Sequence, residues 1–160
     1  MQYVSTTPDP ADPSGGCVFC DHLAEGDDAS AGILHRGTTA FVLLNAFPYN
    51  TGHLMIAPLR HVGEMSELNA DERHELIDLS DAAVSALREA MDPHGFNVGM
   101  NIGSAAGAGV PGHLHVHVVP RWSGDTNFMT TVGDTKVLPE MLAETDAKLR
   151  PLFERLGKSG

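Results

Sequence analysis

The sequence predicts an α+β domain, a mostly antiparallel sheet of about five strands with one long helix and one C-terminal helix. Three observations lead there. Short apolar runs bounded by turn residues crowd the first part of the chain. A single long stretch, residues 69–91, has helical periodicity instead. Two more strand-like runs and a second helical stretch then follow, an order that lacks the regular alternation of a doubly wound sheet.

The elements follow in order along the chain. Residues 1–16 carry Pro8, Pro10 and Pro13 and close on Ser14-Gly15-Gly16, which reads as a flexible leader to a single domain over residues 17–160. That leader has neither the basic start nor the apolar stretch of a secretory signal. Runs 32–36, 40–44 and 53–57 read as strands, the last two joined hairpin-fashion by the turn-rich residues 45–52. In the long helix, Asn69 caps the start with Glu72 three residues on, as in a capping box. Leu76, Ile77, Ala83, Val84, Leu87 and Met91, with small Ser80 among them, give it one apolar face. Pro93 and Gly95 stop it. Strands 96–102 and 113–119 follow, joined by the small-residue loop 103–112. A last helix is expected over 139–149, with Pro151 kinking or restarting it before Gly157.

Composition narrows the function. Hydrophobic residues make up 42% and charged residues 19% of the chain, the profile of a soluble globular protein, and no apolar run is long enough to span a membrane. A formal charge of −11 is the wrong sign for a protein that holds nucleic acid by neutralising phosphates. The expected setting is the cytoplasm. Nine histidines in 160 residues enrich the one side chain that titrates near neutrality, binds metals and acts as a nucleophile.

Three of those histidines alternate as His113-Leu114-His115-Val116-His117. At strand spacing they share one face, with successive rings about 6.5 to 7 Å apart, while Leu114, Val116 and Val118 face the core. A rigid strand supports a nucleophile well; a three-histidine metal site is the competing use of the same face. The glycine-rich loop just before it, 103–112, matches neither the P-loop nor the dinucleotide fingerprint. Its small residues still let backbone N–H groups, those of Gly107, Ala108 and Gly109 among them, approach phosphate oxygens as an anion nest. Such local dipoles would let an acidic protein hold an anion.

His113-x-His115-x-His117 followed by Val118-Val119 is similar to the motif of the histidine-triad superfamily of nucleotide hydrolases and transferases. The resemblance extends over nearly the whole domain. Cys17-Val18-Phe19-Cys20, Leu44-Asn45, Pro48-Tyr49-Asn50, the run 52–58 and Asn101-Ile102-Gly103 fall in family order. Residues 117–129 look most like the diadenosine tetraphosphate phosphorylase-like branch. The resemblance implies a sheet-joined homodimer and a covalent mechanism. His115 would attack the α-phosphate to form a nucleotidyl-histidine, His117 would contact the phosphate, and the backbone near His113 would orient the His115 ring. Asn45 matches a position that contacts ribose, and Asn101 one that faces the phosphates. Trp122 is the candidate for stacking or closing over the nucleotide. One departure is visible: Gly109-Val110 stand where many members carry Gln followed by Ser or Thr. Backbone N–H groups, with Ser104 or Asn101, would have to replace those side chains, and the absent hydroxyl weakens the assignment to phosphorolysis.

Cys17-x-x-Cys20 has the spacing of either a redox pair or half a zinc site, but the strand-to-helix setting of a thioredoxin-like motif is missing. With His61 and His113 it supplies a Cys₂His₂ set suited to tetrahedral structural zinc, which the resemblance supports. No organic cofactor is expected. His22, His35, His74 and His94 lack comparable partners and read as surface or local structural residues. The leading expectation is an enzyme that cleaves dinucleoside polyphosphates, diadenosine tetraphosphate first, with phosphate as acceptor. A hydrolase of dinucleoside polyphosphates or of nucleoside phosphoramidates is the alternative within enzymes. A non-catalytic zinc- or nucleotide-binding module is the alternative outside them.

Overall fold

A computed structural model describes residues 16–125 and 141–156. Most of the expected leader, residues 126–129 of the family-like stretch, the expected helix start at Pro139, and Gly157 lie outside the described residues. The sheet has five strands in the order β1-β2-β3-β5-β4, all neighbours antiparallel. They are β1 (Ile33–Arg36), β2 (Ala40–Leu44), β3 (Leu54–Pro58), β4 (Gly95–Met100) and β5 (Val116–Arg121). Helices α1 (Val18–Ala24), α2 (Ala70–Met91) and α3 (Leu142–Leu156) complete the described elements, with two short 3-10 turns.

Alternation along the strands sorts the core into two layers. On one face Val42, Leu44, Leu54, Ile56, Val116 and Val118 meet Leu76, Leu79, Ala83 and Leu87 of α2 and Leu149 and Phe153 of α3. On the other, Ile33, Phe41, Leu43 and Ala57 pack with Cys17 and Phe19 at the start of α1. β2 is buried along its whole length because both of its faces are covered.

Asn69 caps α2 in the expected box, its side chain accepting from the Glu72 N–H while the Glu72 carboxylate accepts from the Asn69 N–H. The helix ends at Asp92 in the left-handed region, φ 46°. Its buried stripe runs through Leu76, Leu79, Ser80, Ala83 and Leu87. Ile77, expected on that face, is 62% exposed, because one residue of helix turns it about 100° from Leu76.

Three further expectations need correction. α1 was not foreseen: seven residues with no side-chain cap leave no periodic signal, and they cover the face the other helices leave open. α3 continues through Pro151 as one helix, without the restart that is one of the two expectations there. Leu149 and Phe153 on either side of it are fully buried, and burying two such side chains, roughly 1.5–3 kcal/mol each, offsets the ~3 kcal/mol cost of an internal proline. Finally, β5 begins at Val116, not His113. The chain ahead of it is irregular, held by His113 N–H to the Val110 carbonyl and Leu114 N–H to the Val62 carbonyl. The alternation survives: Leu114, Val116 and Val118 enter the helix-side core and the three histidines face the other way.

Among the described residues no helix is long and apolar enough to cross a membrane.

Candidate active site

β3 and β5 lie side by side at the middle of the sheet, with Met55 opposite His117. Beside their outward faces three imidazoles come together, those of His115 and His117 in the triad segment and that of His53 just before β3. His115 is buried, and the His113 carbonyl lies 2.8 Å from its Nδ1. A carbonyl can only accept, so Nδ1 carries the proton and Nε2 presents a lone pair. Burial lowers the His115 pKa and keeps the ring neutral. Its Nε2 has no hydrogen-bond partner among the described residues. A neutral imidazole with a free Nε2 is the form that attacks an electrophile.

His117 sits beside it, ring centroids 4.8 Å apart. Its Nδ1 is 2.9 Å from Nε2 of His53, and the backbone settles which nitrogen donates. The Tyr49 N–H donates to His53 Nδ1 at 3.1 Å, and Asn45 Nδ2 reaches the same atom at 3.3 Å. His53 Nδ1 is therefore an acceptor, Nε2 bears the hydrogen, and it donates to His117 Nδ1. His117 in turn carries its proton on Nε2, ready to donate outward. The Tyr49 ring covers both, 4.7 Å from His53 and 5.7 Å from His117. Burial first, then the neighbouring His117 and His115, push the His53 pKa down to about 3. Burial and His115 lower that of His117 to about 4. The cluster is built to stay neutral.

On the far side of His115, Cys17, Cys20, His61 and His113 converge so that one ligand atom from each lies within 4.8 Å of the others. Cys17 Sγ is 3.3 Å from His113 Nδ1, and Cys20 Sγ is 3.4 Å from His61 Nδ1. His113 Nε2 is 2.8 Å from the Pro58 carbonyl, so it donates there and leaves Nδ1 unprotonated toward the sulfurs. Arg60 fixes the segment carrying His61 by a bidentate pair with Glu72, 2.8 and 2.9 Å. Two sulfurs and two imidazole nitrogens in one compact group suit a tetrahedral metal such as zinc. His113 joins the two centres: its ring faces the sulfurs, and its carbonyl holds His115.

The remaining expected contacts are arranged less simply. Asn45 uses its Nδ2 toward His53 and its Oδ1 to accept the Phe47 N–H. Asn101 lies against the glycine-rich loop, its Nδ2 beside Gly107. Within that loop the N–H groups of Gly107 and Ala108 turn back to the carbonyls of Ser104 and Gly103, while Gly109 has no such bond. Trp122 lies just past β5 in a cleft of about 490 Å³ with Asn50, Thr51, residues 89–92 and Lys148, on the α2 side and apart from the histidines. His53, Tyr49 and Phe19 were not anticipated. The available signal for His53 was its parity with Met55 and Ala57, which puts it on the face opposite Leu54 and Ile56.

The HIT domain model matches residues 28–124. AP-4-A phosphorylase of Mycobacterium tuberculosis is 40% identical over 148 residues, covering 91% of this chain and 76% of that protein. An uncharacterized HIT-like protein of Saccharolobus solfataricus is 31% identical over 113 residues, covering 71% and 79%. Among solved structures, a zinc-bound histidine triad family protein from Mycobacterium smegmatis superposes with a TM-score of 0.70 at 22% identity, covering 92% of this chain and 99% of that one.

Proposed function

The chain belongs to the HIT domain family, and we propose that it is a nucleotidyl transferase that cleaves dinucleoside polyphosphates, with diadenosine tetraphosphate as substrate and inorganic phosphate as acceptor. The observation that carries the chemistry is His115, neutral, pinned through Nδ1 by the His113 carbonyl and open at Nε2. The choice of substrate rests on the 40% identity to a protein named AP-4-A phosphorylase.

In the proposed reaction His115 Nε2 attacks the α-phosphorus. The bond to the bridging oxygen breaks, ATP leaves, and AMP stays bound through a P–N bond. His117 Nε2–H donates a hydrogen bond to the phosphoryl group and its leaving oxygen, the role its tautomer permits. Phosphate then attacks the same phosphorus from the vacated side, breaks the P–N bond and releases ADP. Two displacements through a covalent intermediate replace one difficult one. The Gly109 N–H and the Asn101 amide beside Gly107 are the donors we assign to the phosphates, in place of the Gln and hydroxyl of other members. Asn45 is assigned to the ribose edge, and Trp122, in the cleft on the α2 side, lies away from the histidines and is given no role there.

Cys17, Cys20, His61 and His113 would hold zinc. Four protein ligands would leave no position for substrate, so the ion would supply rigidity at the start of the triad segment. No nucleic-acid or membrane partner is proposed, and we assign the protein to the cytoplasm, which fractionation would check.

Product analysis decides the acceptor. With phosphate present, diadenosine tetraphosphate should yield ADP and ATP in equal amounts, and without it little turnover. AMP and ATP at an undiminished rate would instead identify a hydrolase, and nucleotide binding without any product a binding module.

We also propose a homodimer formed through β4. Among the described residues that strand is a sheet edge, paired only to β5, and Val98 on it is 51% exposed with Ile102 just beyond at 41%. An unprotected edge with apolar residues invites strand addition. Sedimentation should give twice the 17.0 kDa chain mass, and Val98→Lys should shift the protein toward monomer. A monomeric native protein would overturn the assignment.

A further inference from the structure

We infer that Cys17 and Cys20 form a hydroperoxide-sensitive dithiol whose oxidation to a disulfide ejects the metal and silences His115. The inference rests on the metal and nucleophile assignments proposed above, and three features of the structure carry it.

First, the two cysteines are reduced, neighbouring and unequally reachable. Cys17 is buried and Cys20 half-buried, and His61 on the outer side is exposed. Their sulfurs lie within 4.8 Å of each other, one at the residue preceding α1 and one on its first turn. A disulfide requires an S–S distance near 2.05 Å, so closing the pair is a small movement at the start of a seven-residue helix.

Second, the residue between them touches the nucleophile. The Phe19 ring is fully buried and packs on both His113, centroids 5.1 Å apart, and His115, 5.0 Å apart. Drawing Cys17 and Cys20 together moves the backbone that seats this ring. Phe19 acts as a positioning residue, the wall against which the His115 imidazole is held.

Third, His113 is shared. Its Nδ1 faces the sulfurs and its carbonyl fixes the His115 tautomer. Loss of the sulfur ligands removes the contact at His113 Nδ1 and leaves the ring held through Nε2 by the Pro58 carbonyl, so the carbonyl that fixes the His115 tautomer shifts with its residue.

The chemistry balances with a hydroperoxide as oxidant. The Cys20 thiolate attacks one peroxide oxygen, the O–O bond breaks, and a sulfenic acid and hydroxide form. The Cys17 thiolate then attacks the Cys20 sulfur, the S–O bond breaks, and a second hydroxide leaves. Two electrons pass from sulfur to the peroxide, and two protons from solvent convert the hydroxides to water. Disulfide sulfurs ligate a divalent ion poorly, and two imidazoles alone hold it weakly.

The test uses the purified full chain, assayed for metal at the outset and then titrated with hydrogen peroxide. Four quantities are followed together: thiol state of the peptide holding both cysteines, metal released to a chromophoric chelator, nucleotidyl adduct by intact mass, and turnover. The expected result is disulfide formation, release of one metal ion per chain and at least a tenfold loss of adduct and turnover, all with one dose dependence. Dithiothreitol with zinc should restore all four. Turnover that persists once the disulfide is complete would overturn the inference, as would turnover lost while both thiols remain reduced. Loss that reductant and zinc do not reverse would assign the damage to other side chains and overturn it too. A chain free of metal at the outset refutes the zinc assignment separately, while thiol state and turnover still decide the coupling. Phe19→Leu supplies a second line: metal content unchanged, adduct formation reduced at least tenfold. Full adduct formation in that variant would remove Phe19 from the coupling.

Discussion

Turnover of diadenosine tetraphosphate is expected to fall by roughly a thousandfold or more in His115→Ala, because removing a covalent nucleophile removes the whole two-step path. No neighbour can take its place. His117 carries its proton on Nε2 and gives its Nδ1 lone pair to His53; His113 directs Nδ1 at the sulfurs. His53 is buried behind His117, with both ring nitrogens engaged. The fold should survive. The substitution leaves the His113 carbonyl without its hydrogen bond and opens a gap against Phe19, a cost of about 1–3 kcal/mol in a buried setting. It touches none of the four metal-cluster side chains, so metal content should be unchanged. Chromatographic product analysis and intact mass after brief exposure to substrate check both halves. Activity within tenfold of the native protein, or a nucleotidyl adduct on the variant, would remove His115 from the mechanism.

The site was readable where chemistry and spacing coincide, and hidden where tertiary contact supplies the meaning. Cys17, Cys20, His61 and His113 are separated by up to 96 positions, yet their ligand types together with the family resemblance suggest a set, and the fold brings them within 4.8 Å. Asn69 and Glu72 announced the start of α2 because a capping box is a local device. His53 gave no comparable sign. One histidine at the head of an apolar run is common, and only the pairing of β3 with β5 puts it against His117. Phe19 was invisible for the same reason: α1 is short and uncapped, and its ring matters only because it lands on His113 and His115. The irregular start of the triad segment was missed because strict alternation resembles a strand, whereas Leu114 bonds to Val62 outside any ladder.

Replacement of His53 with asparagine should lower kcat roughly tenfold to a hundredfold, less than loss of a general acid altogether, which typically costs 10²–10⁴. The reason lies in which atoms each amide can imitate. An asparagine can accept the Tyr49 N–H where His53 Nδ1 does, but it ends short of His117. The His117 tautomer then loses its anchor, and its Nε2–H is present only part of the time. Glutamine places its Nε2 where the imidazole Nε2 stands, so His53→Gln should recover most of the loss; a merely structural role would not order the two variants this way. The pH dependence of stability should change as well. In the native protein His53 titrates near 3 and His117 near 4, against an ordinary value of 6.5. Between those limits the unfolded chain binds protons that the folded chain refuses, so stability rises with pH across that window. Put the other way, the contribution of these two groups falls as pH drops from about 6.5 toward 3–4, and is level above that range. Removing His53 removes its share, so both variants should lose less stability on acidification than the native protein does. Denaturant titrations at neutral pH and at pH 5 measure this directly. An unchanged acid slope, or equal kcat in the asparagine and glutamine variants, would show that His53 does not set the tautomer of His117.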